Sequence, residues 1–157
     1  MKKYQHYLFD WGNTLMVDFP SATGPMYQWP TVEAVSGAAP LLSELSSVAS
    51  CHIATNAKDS TAMEIKQAVA RVHLGQYIDH IFCFQSIGVE KPSQAFFNHI
   101  FTTLEVDKHE ILMIGDTLET DVLGALDFGF DAVWFNPKNQ PTPAGIHSID
   151  HLLQLIS

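Results

Sequence analysis

Three aspartates stand where their carboxylates could converge and carry chemistry. Asp10 and Asp116 each end a short apolar run, and Asp121 follows Asp116 within the same loop-like stretch. Converging carboxylates repel one another unless a cation neutralises them, and hard oxygen ligands select Mg²⁺. A carboxylate can also accept a phosphoryl group covalently, which divides one difficult displacement into two easier ones. The three residues therefore predict a magnesium site that handles a phosphoryl group.

Two further groups supply the complementary chemistry. Thr55 and Asn56 follow another apolar run, and a threonine hydroxyl followed by main-chain amides suits phosphate oxygens. Lys91 precedes a proline just before a predicted helix, and its ammonium group can balance the charge of a phosphoryl group and of the transition state. We expect Thr55, Asn56 and Lys91 to bind phosphate, with Thr55 and Lys91 assisting Asp10 in catalysis.

The elements that must position these residues alternate along the chain. Continuously apolar runs are typical of strands covered on both faces, as in parallel sheets, and segments with helical periodicity separate them. The predicted strands cover 4–10, 51–55, 80–84, 110–116 and 132–136, and the predicted helices about 39–49, 60–72, 93–104, 119–128 and 148–156. We therefore expect an α/β fold with a doubly wound, five-stranded parallel sheet, which gathers the candidate residues at the carboxyl ends of its strands.

Local signals mark the ends of several elements. Asp59 is the predicted cap of the helix over 60–72, Ser93 caps the one over 93–104, and Gly129 ends the one over 119–128. The least regular stretch, 16–37, contains three prolines and is interpreted as a loop or small hairpin over one end of the sheet. Contact with substrate and a purely connecting role are both open for this segment.

Composition limits the remaining possibilities. The 157 residues fit one domain, and we expect 1–157 to fold as a single unit. A formal net charge of −9 opposes binding to nucleic acid, whose affinity comes largely from phosphate neutralisation. The first residues lack the apolar core of a signal peptide, and no apolar stretch approaches a bilayer span, so we expect a cytoplasmic protein without a membrane partner. Cys51 and Cys83 lie in apolar runs and are expected to be buried, reduced thiols.

In chain order, the segments 10–15, 53–56, 91–92 and 115–121 resemble the four signature motifs of the haloacid dehalogenase (HAD) superfamily. The stretch from 88–92 through 135–137 is similar to the nucleotidase-like phosphatases of that superfamily. The resemblance covers nearly the whole chain. It implies a Rossmann-like core and a Mg²⁺-dependent attack of Asp10 on phosphorus.

The resemblance also implies a role for each matching residue. The main-chain carbonyl of Gly12 and the carboxylate of Asp116 would join Asp10 on the metal, and Asp121 would hold it directly or through water. Thr55 and Lys91 would bind the phosphoryl oxygens.

The sequence departs from the family pattern in two respects. Family phosphatases carry a second aspartate two residues after the nucleophile as general acid and base, but this chain has Gly12 there, followed by Asn13 where glycine is usual. General acid–base catalysis typically contributes about 10²–10⁴-fold, so a substitute such as Glu119, a histidine or a partner's residue is needed. Only about forty residues separate the first two strands, so the chain is nearly capless. An open site implies a large substrate or closure by another subunit of an oligomer.

These observations leave three hypotheses. The first is a Mg²⁺-dependent phosphatase that acts on a phosphorylated small molecule or phosphoprotein through an aspartyl-phosphate on Asp10. The loss of a carboxylate at position 12 predicts a preference for aryl or acyl phosphates and slow breakdown of the intermediate. The second is a catalytically degenerate module that binds Mg²⁺ and phosphate, or a protein partner, without turnover. The third is carbon–halogen or carbon–phosphorus chemistry through Asp10, which the carboxylate cluster and the missing cap disfavour.

Overall fold

A parallel sheet organises residues 2–157, the part of the chain that the computed structural model describes. Its strands are β1 His6–Phe9, β2 Ser50–Thr55, β3 Ile78–Cys83, β4 Ile111–Gly115, β5 Asp131–Phe135 and β6 Ser148–Ile149. They lie in the order β3-β2-β1-β4-β5-β6, and every neighbouring pair is parallel. Because β1 and β4 are neighbours at the centre, their following loops diverge and open a crevice at the carboxyl edge, where such sheets bind ligands.

Helices cover both faces of the sheet. They are α1 Ala38–Ser46, α2 Ala62–Arg71, α3 Phe84–Ile87, α4 Gln94–Leu104 and α5 Gly124–Phe128, with a π-helix at Leu118–Leu123 and 3₁₀ turns at Met26–Gln28, Gly75–Tyr77, Lys108–Glu110 and Leu152–Leu155. Helices α1 and α2 pack on one face, and α4 and α5 on the other. Consecutive residues of β1 show the consequence: Leu8 and Phe9 are both fully buried, but in different cores. The continuous apolar runs therefore correctly predicted a doubly wound α/β fold.

The sheet has six strands where five were predicted. The predicted helix over 148–156 is wrong: Ser148 and Ile149 pair with Trp134 and Phe135 of β5, and only Leu152–Leu155 forms a helical turn. Without this pairing, β5 would present an unpaired edge. The short strand β6 covers that edge. Ile149 in the strand, and Leu152 and Leu155 beyond it, are buried in the core.

Two helix starts also differ from prediction. The cap of α2 is Thr61, whose side chain accepts from the amide of Glu64 while the Glu64 carboxylate accepts from Thr61, rather than Asp59. The helix predicted over 119–128 divides into the π-helix and α5. Ser93 does cap α4, and Gly129 ends α5 with a φ of 111°, a left-handed conformation that glycine tolerates.

The 16–37 segment forms a small hairpin-like excursion, as predicted. The amide of Val17 donates to the carbonyl of Glu33 at 2.9 Å, and that of Val35 donates to Leu15 at 2.9 Å. The guanidinium of Arg71 on α2 donates to the carbonyl of Trp29 at 2.7 Å, which ties the excursion to the body. Between β1 and β2, the described chain adds only this excursion and α1.

Both cysteines are buried and free, as expected. Within residues 2–157, no helix combines the length and the apolar character that crossing a membrane requires.

Candidate active site at the carboxyl edge of the sheet

The three predicted aspartates meet where β1 and β4 end. Asp10 directly follows β1, Asp116 directly follows β4, and Asp121 lies on the π-helix that comes next. One carboxylate oxygen from each lies within 4.8 Å of the other two. π-helical turns are rare and are frequently found at functional sites, and here the turn carries the carboxylate of Asp121 into the cluster. The structure therefore brings together the side chains that the sequence named as metal ligands.

Lys91 lies inside this cluster. Its Nζ donates to Asp121 Oδ1 at 2.6 Å, to the carbonyl of Ala54 at 2.7 Å and to Asp10 Oδ1 at 3.1 Å. The side chains of Lys91 and Asp121 are each only 1% exposed, so the pair is almost fully desolvated. Burial alone would lower the pKa of Lys91, but the carboxylates of Asp10 and Asp121 outweigh it and raise that pKa above its ordinary value. Lys91 therefore places a fixed positive charge inside the carboxylate cluster, beside Asp10 and Asp121, rather than in solvent.

Asp121 depends on close approach to the main chain of β4. A β-carbon at Gly115 would lie 2.1 Å from Asp121 Oδ2, a distance that no side chain can occupy. The same oxygen accepts from the amide of Thr117 at 3.0 Å. Gly115 thus provides the space that the buried carboxylate fills, and Thr117 fixes its orientation.

Asp116 completes the cluster on the β4 side. Its main-chain carbonyl accepts from the indole N–H of Trp134 at 3.0 Å, and the Thr14 hydroxyl lies 3.4 Å from both Asp116 Oδ1 and Asp10 Oδ2. Burial first, and then the hydrogen bond and charge of Asp10, raise the pKa of Asp116 well above its ordinary value. Crowded carboxylates of this kind are stabilised by a neighbouring positive charge.

The donor set fits a divalent cation. Three carboxylates face one ammonium group, so full ionisation leaves an excess of two negative charges (three minus one). The donors are hard oxygens, which favour Mg²⁺ over softer transition metals. Gly12 lies beside Asp10 in the same pocket, where its carbonyl can join the carboxylates.

Thr55 and Asn56 form the opposite wall of this pocket. The buried Thr55 hydroxyl accepts from the amide of Ala57 at 3.1 Å, which leaves its own proton to donate. The side chain of Asn56 is engaged by Lys91 instead: its amide donates to the Lys91 carbonyl at 2.9 Å, and its Oδ1 accepts from the Lys91 amide at 2.8 Å. Asn56 therefore positions the lysine loop with its Oδ1 and one N–H of its amide, and binding of phosphate by Asn56 stays a prediction.

The pocket that holds Asp10 has a volume of about 260 Å³ and is shared with the 16–37 segment. Trp11, Asp18, Met26 and Trp29 also line it. The segment therefore contributes wall to the candidate site, which favours the substrate-contacting interpretation over an inert connection. Trp11 serves packing as well, since it is buried and its indole N–H lies 3.3 Å from the sulfur of Met16.

Some functional positions escaped the sequence analysis. Thr14 was part of the first motif, but nothing in its type indicated a hydroxyl between two carboxylates. Asp18 was not named at all, although it lines the pocket. The suggested substitutes for the acid are elsewhere: Glu119 lines a separate surface pocket with Asp116, and none of the described histidines lines the pocket of Asp10.

Residues 28–129 of the chain match the family model of haloacid dehalogenase-like hydrolases. The chain belongs to this family. The matched range includes Thr55, Lys91, Asp116 and Asp121, which are four of the residues assembled at the carboxyl edge. The resemblance of the motifs is thereby confirmed as family membership.

Several curated relatives of this HAD-family chain are phosphatases by name. The pyrimidine 5'-nucleotidase YjjG of Escherichia coli is 31% identical over 111 residues, which cover 70% of this chain and 48% of that protein. N-acylneuraminate-9-phosphatase of Mus musculus is 35% identical over 101 residues, covering 64% of this chain and 40% of that protein. The chain thus spans less than half the length of these relatives.

Solved structures share the fold over nearly the whole chain. A crystal structure of the HAD-hydrolase YfnB from Bacillus subtilis, bound to magnesium, has a TM-score of 0.79 at 19% identity and covers 98% of this chain and 97% of that one. An uncharacterized protein from Listeria monocytogenes has a TM-score of 0.84 at 25% identity, with 96% and 94% covered. The HAD core predicted from the motifs is therefore the fold of this chain.

Proposed function

We propose that this HAD-family chain is a Mg²⁺-dependent phosphatase that uses Asp10 as its nucleophile. The observation that carries the proposal is the position of Lys91, whose buried Nζ bridges Asp10 and Asp121 inside the three-carboxylate cluster. A purely structural role gives no reason to desolvate this many charges, because a buried ion pair contributes little stability over an apolar replacement. A phosphoryl group brings negative charge that such a site is suited to receive.

Each residue has a task in this proposal. The Asp10 carboxylate attacks phosphorus, and the ester oxygen leaves as the aspartyl-phosphate forms. Lys91 neutralises negative charge at the reacting centre, and the Thr55 hydroxyl donates to a phosphoryl oxygen. Asp10, Asp116, Asp121 and the carbonyl of Gly12 would hold the metal. When bound, Mg²⁺ supplies positive charge to the phosphoryl oxygens.

A phosphorylated small molecule is the substrate class we favour. The relatives' names, a pyrimidine 5'-nucleotidase and an N-acylneuraminate-9-phosphatase, point to phosphate esters of small molecules. The pocket of about 260 Å³ beside Asp10 is of a size that takes a phosphoryl group and part of its ester. A phosphoprotein remains the alternative substrate, since the described chain places no separate domain over the crevice.

Phosphate release from acetyl phosphate and p-nitrophenyl phosphate, with and without Mg²⁺, tests the proposal. Both carry good leaving groups, so the assay does not depend on a general acid. We expect Mg²⁺-dependent release that falls on the order of 10³-fold or more in Asp10→Asn, because that variant lacks the nucleophile. Release that persists in Asp10→Asn would contradict the proposal.

Gly12 supports one other candidate function, a module that binds Mg²⁺ and phosphate, or a protein partner, without turnover. The assay distinguishes it through a third protein, Gly12→Asp. If the native protein releases no phosphate and Gly12→Asp does, the site is intact but unable to turn over, and the binding function is correct.

A further inference from the structure

The loop after β1 lacks a carboxylate at position 12, but the structure brings another carboxylate to the same place. A β-carbon added to Gly12 would lie 3.5 Å from Cβ of Asp18 and 3.6 Å from its Oδ2. The Asp18 carboxylate thus lies in van der Waals contact with the position from which a side chain at residue 12 would start. Asp18 also lines the pocket of Asp10.

Asn13, which stands where glycine is usual in the family, holds Asp18 there. Its φ of 60° is left-handed, a conformation that asparagine tolerates better than most residues. In that conformation the main-chain N–H of Asn13 donates to the carbonyl of Met16 at 2.7 Å, and its side-chain Oδ1 accepts from the main-chain N–H of Asp18 at 3.0 Å. Gly12 and Asn13 therefore act together: Gly12 places no side chain beside Asp18, and Asn13 fixes the main chain of Asp18 next to it.

Asp18 also lies between two spaces. Besides the pocket of Asp10, it lines a neighbouring pocket of about 510 Å³, whose wall includes Asp116, Trp134 and Phe135. Among residues 2–157, no hydrogen bond or ion pair engages its carboxylate, and the residue is exposed. A proton donor at the boundary between a phosphoryl site and an adjoining space is well placed to serve a leaving group.

We infer that Asp18 is the general acid and base of the reaction, an inference that rests on the proposed phosphatase function. In the first step, the Asp10 carboxylate forms a bond to phosphorus, the bond from phosphorus to the ester oxygen breaks, and the Asp18 carboxylic acid gives its proton to that oxygen. In the second step, the Asp18 carboxylate takes a proton from a water molecule, whose oxygen bonds to phosphorus. Inorganic phosphate leaves, and both aspartates return to their starting forms.

Other acidic residues are less well placed. Asp59 lines the same pocket beyond Thr55, on the β2 side, and its Oδ1 lies 3.3 Å from the hydroxyl of Ser60. Glu119 lines a different surface pocket. By contrast, the three atoms nearest to a β-carbon added at Gly12 all belong to Asp18.

The test compares leaving groups in the native protein, Asp18→Asn and Asp59→Asn. An alkyl phosphate such as glycerol 3-phosphate needs protonation of its leaving oxygen, whereas acetyl phosphate does not. We expect Asp18→Asn to lower the alkyl rate by about 10²–10⁴-fold while formation of the phosphoenzyme from acetyl phosphate is little changed. Asp59→Asn should leave the ratio of alkyl to acyl rates unchanged. The glycine at position 12 alone predicted that the native protein prefers aryl and acyl phosphates. With Asp18 as the acid, we expect that preference in Asp18→Asn and not in the native protein.

Two further readouts separate a proton-transfer role from a structural one. Asp18→Asn should accumulate phosphoenzyme on acetyl phosphate, visible by intact mass as one added phosphoryl group, because loss of the base slows the second step. Gly12→Asp placed in the Asp18→Asn background should recover alkyl hydrolysis, since it returns a carboxylate to the same space.

An unchanged ratio of the alkyl to the acyl rate of phosphoenzyme formation in Asp18→Asn would overturn the inference, as would a double variant that hydrolyses the alkyl phosphate as slowly as Asp18→Asn. If Asp10-dependent release from acetyl phosphate persists in that case, the proposed function stands and only the role of Asp18 is wrong. If the native protein shows no Asp10-dependent release at all, the proposed function fails and the inference falls with it.

Discussion

Two polar clusters in this molecule are each built around a buried basic side chain, and burial changes the charge of the two bases in opposite ways. The charged cluster, formed by Lys91, Asp10 and Asp121, lies at the carboxyl edge of the sheet. The histidine cluster, formed by His6, His52 and His80, crosses β1, β2 and β3. Lys91 is 2% exposed and His52 is 1% exposed, so both clusters place a basic side chain out of contact with water.

The partners of each base decide its charge. Lys91 faces two carboxylates, and its pKa is raised despite burial. His52 faces other imidazoles: its Nδ1 accepts from the amide of His80 at 3.1 Å, and its Nε2 lies 2.9 Å from His6 Nδ1. Burial first, and then the neighbouring histidines, lower its pKa to about 3. A buried base thus keeps its charge where carboxylates face it, as at Lys91, and loses it where only other imidazoles do, as at His52.

Removing Lys91 should have the largest effect on the free energy of unfolding. In Lys91→Met, Asp10 and Asp121 remain buried without their counter-charge, so we expect unfolding to become easier by about 3–5 kcal/mol. Urea denaturation at neutral pH in the presence of a chelator measures this. Lys58→Met is the matched control, because Lys58 pairs with Glu90 on the surface and should cost less than about 1 kcal/mol. Equal effects of the two substitutions would show that the buried cluster is not held by charge.

Added Mg²⁺ should have the next largest effect, because it would stabilise the charged cluster and not the histidine cluster. If the carboxylates hold Mg²⁺, the ion stabilises the folded chain by about 2.7 kcal/mol at a concentration 100 times its Kd. We expect this increment in thermal or urea unfolding of the native protein and a much smaller one in Asp116→Asn. Asp79→Asn, which alters an exposed carboxylate near the histidine cluster, should retain the full increment. An increment of the same size in Asp116→Asn would contradict a site built on this residue.

The smallest of the three effects should be the loss of stability that His52 causes as the pH falls. The unfolded chain takes up a proton on His52 near its ordinary pKa of 6.5, whereas the folded chain resists until about 3, so stability is lost as pH falls below 6.5. We expect this residue to contribute a slope approaching about 1.4 kcal/mol per pH unit between pH 6 and 5. The slope of unfolding free energy against pH should therefore be shallower in His52→Gln than in the native protein. Identical slopes would mean that His52 is already protonated in the fold.

The charged cluster could be predicted from sequence, whereas the histidine cluster could not. Asp10 directly follows β1, and Lys91 and Asp121 lie in the segments that follow β3 and β4. Parallel strands deliver their carboxyl ends to one edge of the sheet whatever their exact pairing. The histidines lie within strands, where contact depends on register: His52 aligns with Leu8 rather than with His6. Register between distant strands is a tertiary property that no single strand encodes.

Asp18 and β6 were missed for related reasons. The position of Asp18 follows from the left-handed turn at Asn13, which folds the chain back toward Gly12, and no spacing rule connects these residues. A helix was predicted over 148–156, but Ser148 and Ile149 pair with β5 instead. In both cases a local pattern yielded to a partner supplied by the fold.

The double hydrogen bond between Asn56 and the main chain of Lys91 has a consequence for redesign. It joins the loop after β2 to the loop that carries the lysine, so Thr55 and Lys91 shift together or not at all. The part of the pocket that we propose to bind phosphate is therefore held together by two hydrogen bonds between these loops. The 16–37 segment forms the opposite wall through different contacts. We expect substitutions confined to that segment to alter which phosphate esters enter the pocket, while the half of the pocket that contains Thr55 keeps its shape.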